Sequence, residues 1–271
     1  MPLHHIIQKL SQLTGYPEIV LTSRGNTAIK SALRITPLHK KILIPEEGGW
    51  LTYKTIPLKL KREHSIVQCS DSIISLKDLE KKLSTNHYAV LLYQNPAGYF
   101  AEQSMEEMYK LCQHHHCLVV MDVSGSIGTE LCDGRYADMM VCSFGEWKLV
   151  DVGKGGFISF KTPELREQIN NITPLTDQSI LPLLDQKLEE LPERIQHLKE
   201  LKAKINNDLQ QYNILHPDHF GSVVVIAYDT EKEKDALIQY CQKKSLEWTE
   251  CPRYIRVNRK AISIELKRIS I

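Results

Sequence analysis

Between residues 20 and 160 the chain alternates short runs rich in β-branched residues with longer runs whose apolar positions recur every three or four residues. The strand-like runs are "KKILIP" (40–45), "YAVLLYQ" (88–94), "CLVVMDV" (117–123), "ADMMVCSF" (137–144) and "GGFISF" (155–160). Between them lie "TAIKSALRI" (27–35), "SLKDLEKKLS" (75–84) and "SMEEMYKLCQHHH" (104–116), each with the apolar spacing of a helix that buries one face. Strands alternating with helices need crossover connections, so the expectation is a three-layer α/β domain with a mainly parallel sheet covered on both faces. Such a sheet binds ligands at the carboxyl ends of its strands.

After residue 160 the texture changes. A charged helical stretch at about 184–211 contains Pro192, which should kink or divide it. Beyond it come "SVVVIAY" (222–228), a helix-like "KEKDALIQYCQKK" (232–244) and two strand-like runs, "YIRV" (254–257) and "AISIEL" (261–266). The expected organisation is a large domain over 1–183, followed by a linker helix and a small C-terminal α+β domain over 184–271.

Composition narrows the class of partner. A formal charge of +1 over 271 residues gives no basic field for nucleic acid or an anionic membrane. No run approaches the roughly 20 apolar residues needed to span a bilayer, and "MPLHHIIQKL" lacks the pattern of a secretory leader. Seven cysteines without paired spacing suit a reduced compartment. The expectation is a cytoplasmic protein with small-molecule ligands. "CQHHHC" (112–117) reads as a helix end rather than a metal site, because adjacent side chains diverge and no distant ligand cluster accompanies it.

Three polar elements fall at strand ends or at a helix start. In "SRGNTAIK", Gly25, Asn26 and Thr27 lead into a helix, where exposed amides and the helix dipole suit a phosphate; taken alone, the segment fits better an ordinary N-cap by Asn26 or Thr27. In "VVMDVSGSIG", Asp122 ends an apolar strand and, if buried, needs a cationic or hydrogen-bonding partner, or else caps the amides of its own loop. In "CSFGEWKLVDVGKGGF" (142–157), Lys148 follows the strand-ending Ser143 by five residues, and Lys154 lies among glycines. An amine, an acid and a phosphate cradle on one sheet edge describe a pyridoxal phosphate site.

Asp122, Gly128, Asp138, Ser143 and Lys148, together with the turn "GKGGFIS", resemble the recurring signature of the DegT/StrS-type aminotransferases among the fold-type I pyridoxal-phosphate enzymes. The resemblance covers about half of the chain, which is short for that family. It implies that Lys148 forms the Schiff base with pyridoxal 5'-phosphate and that Asp122 pairs with the pyridine nitrogen. Ser143 with the amides of Gly25, Asn26 and Thr27 would hold the phosphate, and Ser124 would pack beneath the ring. Trp50, or else Tyr53, would stack above it, and Asn95 of "YQNPAGYF" would reach the phenolic oxygen unless it only builds a turn. Arg256, with Arg253 as its rival, would bind a substrate carboxylate, while Lys154 is a bystander.

The activity implied is transfer of an amino group from an amino acid donor such as glutamate to a keto acceptor, possibly a keto sugar, by a homodimer. Two alternatives stay open: a lyase or desulfurase of the same fold, with Cys251 as the thiol, and a non-catalytic binding or regulatory protein.

Overall fold

In the computed structural model, which describes residues 2–269, seven strands form the main sheet. They are β1 (Glu18–Thr22), β2 (Lys41–Pro45), β3 (His64–Val67), β4 (Tyr88–Gln94), β5 (Leu118–Asp122), β6 (Met139–Ser143) and β7 (Gly156–Phe160), in the order β1-β7-β6-β5-β4-β2-β3. β3, β2, β4, β5 and β6 pair in parallel; β7 pairs antiparallel to both β6 and β1. β7 alone runs against the others.

Side-chain alternation splits each strand between two cores. Ile42, Ile44, Val90, Leu92, Val120, Val141 and Ile158 face the helix Gly25–Leu33, through its Ala28, Ile29, Ala32 and Leu33. Leu43, Leu91, Tyr93, Val119, Met121, Met140 and Phe157 face the opposite side, where Ile6, Leu10, Leu79, Met108 and Cys112 come from other helices. A sheet buried on both faces accounts for the near-continuous apolar strands.

The C-terminal sheet is antiparallel throughout. It comprises β8 (Asn213–Ile214), β9 (Val224–Ala227), β10 (Trp248–Cys251) and β11 (Ala261–Ile264), in the order β8-β9-β11-β10. Helix Glu231–Lys243 enters it through a capping box made by Thr230 and Glu233. Helices Leu181–Glu189 and Leu191–Asp208 connect the sheets. Pro192 sits in the first turn of the second of these, where its missing N–H costs nothing, and the two helices meet at Glu190. Residues 183 and 184 lie inside the first, whose Asp185 bonds Lys9 at 3.0 Å.

One strand expectation is corrected. "YIRV" forms a turn, closed by Arg256 N–H to the Arg253 carbonyl at 2.8 Å, and the strand lies earlier, at Trp248–Cys251. Among the described residues no helix is long and apolar enough to cross a membrane.

Candidate active site

The antiparallel return of β7 sets the register of the site. Thr22, Gly156 and Ser143 form one row across β1, β7 and β6, and Gln94, Asp122 and Val141 form the next across β4, β5 and β6. The carboxyl ends of β1, β5 and β6 therefore open on one edge. Gly25, at the start of its helix, lies so close to Ser143 that a Cβ there would stand 2.5 Å from the Ser143 Cβ. Only a residue without a side chain lets the helix start meet the strand end.

A cavity at this edge is lined by Gly25, Asn26, Trp50, Asp122, Ser143 and Lys148, with Ser124, Tyr99, Arg24 and Lys154 completing its wall. Residues scattered over more than 120 positions thus converge on one cavity. Asp122 is 4% exposed. Its Oδ1 accepts from the Ser124 amide at 3.0 Å and the Ser124 hydroxyl at 2.5 Å, and its Oδ2 accepts from the Tyr53 hydroxyl at 2.8 Å. Among the described residues it has hydrogen-bond donors but no cation. An anion so placed, at the wall of a cavity, is suited to a cationic ligand atom.

Lys148 is 9% exposed; its Nζ bonds the Tyr99 hydroxyl and stands 4.7 Å from the ring centroids of both Trp50 and Tyr99. The loop carrying it is stapled by Asp151, which accepts from the Trp147 amide at 2.6 Å and the Gly153 amide at 2.9 Å. Gly153 and Gly155 adopt φ of 76° and 88°, so the chain can reverse into β7. Lys154 reaches the cavity wall with its amine 2.5 Å from Asp177, an exposed ion pair. The two lysines of this stretch are not equivalent.

Several expected roles change. The Thr27 amide is taken by the Arg24 carbonyl at 3.0 Å and its hydroxyl lies 3.1 Å from the Ser23 hydroxyl, so only Gly25 and Asn26 of that trio line the cavity. Asn26 Oδ1 accepts from Trp50 Nε1 at 3.1 Å and fixes that indole beside Lys148. Tyr53 is fully buried and serves Asp122 rather than stacking over the cavity. Ser124 couples two strand ends, accepting from the Ser143 amide at 2.8 Å while holding Asp122. Asn95 does not line the cavity: its Oδ1 accepts from the Gln103 amide at 3.1 Å and its Nδ2 points to the Leu131 carbonyl. It builds the turn.

Of the remaining signature residues, Gly128 takes φ of 81° against Leu191 and Ile195. Asp138 accepts from the Val119 amide at 2.7 Å and from Tyr109 at 3.1 Å, at the far end of the strands from the cavity. Both are structural.

Arg256 lines a second cavity beside the first, with its charge already paired inside the protein. It is 2% exposed and its guanidinium is spent internally, on both oxygens of Glu265 at 2.8 Å, on Ser263 Oγ at 2.9 Å and on the Ile255 carbonyl at 3.0 Å. Its rival Arg253 is exposed and lines the same second cavity, which shares Arg24, Trp50, Ser143 and Lys148 with the first. The Cys251 thiol is buried, lines neither cavity, and is raised by that burial, which is the reverse of an activated nucleophile.

Burial by itself raises the Glu265 carboxyl; Arg256 and then Lys267 outweigh it and hold it down at about 2. Burial also pushes the Lys267 amine well below the ordinary lysine value, with Arg256 adding to it. Because Glu265 is depressed in the folded chain, its contribution to stability is complete above about pH 4.5, near the unfolded carboxyl's value, and is lost as pH falls toward 2. Glu265→Gln should therefore cost about 3–5 kcal/mol at neutral pH, leaving Arg256 buried without its anion. That deficit should shrink between pH 4.5 and 2 in denaturant melts; a deficit independent of pH would contradict the assignment.

A model of the DegT/DnrJ/EryC1/StrS aminotransferase family matches residues 7–179, and one of the MJ1341 family C-terminal domain matches residues 188–271. Among solved structures, the aminotransferase TlmJ from Streptoalloteichus hindustanus superposes with a TM-score of 0.81 at 13% identity, covering 100% of this chain and 87% of that one. The putative sugar aminotransferase Spr1654 from Streptococcus pneumoniae, in its PMP form, gives 0.80 at 13% identity over 100% and 88%. Helicobacter pylori PseC, an aminotransferase involved in the biosynthesis of pseudoaminic acid, gives 0.78 at 15% identity over 98% and 85%. At these identities the structural likeness establishes the fold.

Proposed function

The chain belongs to the DegT/DnrJ/EryC1/StrS aminotransferase family, and from that premise we propose that it transfers an amino group from an amino acid to a keto sugar using pyridoxal 5'-phosphate held on Lys148. The observation that carries the proposal is Asp122, a buried carboxylate at the cavity wall whose protein partners are donors without positive charge. A protonated pyridine nitrogen is the partner it lacks. The residues present fit the rest of the group: an amine within the same cavity, and at its other side a helix start with Ser143, Arg24 and the Gly25–Asn26 backbone for a phosphate.

When bound, the cofactor supplies a conjugated ring that accepts the electron pair of the donor's Cα–H bond. Lys148 Nζ would be the covalent anchor, and as a free amine the same nitrogen would be the base for a donor's Cα proton. Trp50, tied by Asn26, lines the cavity with its ring centroid 4.7 Å from Lys148 Nζ and offers an aromatic face beside that amine. Asp122, tied by Tyr53 and Ser124, holds the ring nitrogen's proton in place. The exposed Arg253, with Arg24 and Arg268 across the second cavity, suits a substrate carboxylate or other anion.

The experiment is a half-reaction. Holoprotein mixed with glutamate and no acceptor should lose its visible absorbance and release one 2-oxoglutarate per chain. Release of ammonia or carbon dioxide instead would make it a lyase of the same fold. Exposed Leu51 and Trp147 beside the second cavity support a homodimer closing over it. A monomer in sedimentation at micromolar concentration would remove that part.

A further inference from the structure

Tyr99, which sequence reasoning passed over, is held at Lys148 with unusual thoroughness. It follows the Asn95–Pro96 turn, its amide donating to the Pro96 carbonyl at 3.1 Å, and its backbone takes a φ of 68°, a region that bulky residues rarely occupy. Strain of this kind persists where surrounding contacts over-determine it. Three segments supply them. The loop after Asp122 passes so close that a Cβ on Gly125 would stand 2.8 Å from Tyr99 Cδ1. From the C-terminal domain, Lys267 Nζ sits 3.9 Å and Arg256 Cζ 5.4 Å from the ring centroid, and Glu265 ties those two cations together. The Tyr99 carbonyl accepts from the Ser222 amide at 2.9 Å. The outcome is one buried phenol aimed at one amine: the hydroxyl bonds Lys148 Nζ.

We propose that Tyr99 is a catalytic residue whose hydroxyl keeps Lys148 Nζ directed into the cavity, and that the Arg256–Glu265–Lys267 triad is the positioning group that holds its ring. A neutral phenol can accept from an ammonium and donate to a free amine. One hydroxyl can therefore serve Nζ as either hydrogen-bond partner. The inference rests on the reading of Lys148 as the cofactor's anchor. It also gives the C-terminal domain a part in the chemistry: the triad lies wholly within residues 188–271, outside the stretch matched by the aminotransferase family.

Tyr99→Phe keeps the ring, its packing on Gly125 and the stacked cations, and removes only the hydroxyl. The first readout uses apoprotein: the rate at which pyridoxal phosphate with cyanoborohydride marks Lys148, followed by peptide mass. We expect Tyr99→Phe to slow marking about ten- to a hundredfold, the range for a lost hydrogen bond to a charged group, with unchanged thermal unfolding. In the glutamate half-reaction the maximal single-turnover rate should fall by a similar factor and the half-saturating glutamate concentration should hold. Lys267→Met should give a smaller loss that vanishes on the Tyr99→Phe background; a full additional loss there overturns the positioning role. Wild-type protein marked at Lys148 with Tyr99→Phe marked equally fast removes the inference alone. Wild-type protein not marked at Lys148 removes the cofactor reading and this inference with it.

Discussion

Lys148→Ala should abolish the visible absorbance of purified protein and lower kcat about 10⁴-fold, because one substitution removes both the covalent tie and the base for the donor's Cα proton. Lys148 lies in a loop stapled by Asp151 and bordered by Gly153 and Gly155, so truncating it disturbs neither β6 nor β7. Melting should stay close to wild type, which separates lost chemistry from lost fold. The matched control is Lys154→Ala, which removes the exposed amine six positions on and breaks only its pair with Asp177. Exposed pairs of that kind contribute about 0–1 kcal/mol. A Lys148→Ala protein within tenfold of wild-type turnover would contradict the assignment.

The second large effect concerns the carboxylate. Asp122→Asn should lower kcat about 10²–10³-fold while the cofactor remains bound. The substitution keeps the shape but removes the anion that holds the ring nitrogen's proton, and each pKa unit lost there weakens that hold by about 1.4 kcal/mol. It also disturbs local bonding. Asp122 accepts on both oxygens, from Ser124 on one and Tyr53 on the other, whereas an amide presents an acceptor on one side only. Tyr53→Phe isolates that smaller contribution: it removes one donor and leaves the charge. Its kcat loss should be well below that of Asp122→Asn; equal losses would mean that hydrogen bonding, not charge, is what Asp122 provides.

How much of this was legible depended on how local each signal was. Strand-to-helix alternation dictates the main sheet, and the intervals from Asp122 to Ser143 and Lys148 are set by two strands and their connections, so those three side chains could be placed on one edge. The direction of β7 was not legible, since a strand's residues do not encode whether it returns antiparallel. The turn carrying Arg256 was not legible, because "YIRV" has the apolar-polar alternation of a strand. A better clue lay in "AISIEL". Period-two alternation puts Ser263 and Glu265 on one face of a buried run, and a buried acid calls for a cation.

Tyr99 was harder still. Its position depends on a left-handed backbone and on Gly125, Arg256 and Lys267 meeting from distant parts of the chain. Asn26 was read for its backbone, while its side chain's bond to Trp50 could not be foreseen from local pattern.

The central claim is that Lys148, among all the lysines of this chain, carries the cofactor. Borohydride reduction of protein saturated with pyridoxal phosphate, followed by peptide mass mapping, tests it directly. The account predicts one reduced cofactor per chain, on the peptide containing Lys148. A label on Lys154 or any other lysine, or no label at saturation, would contradict it.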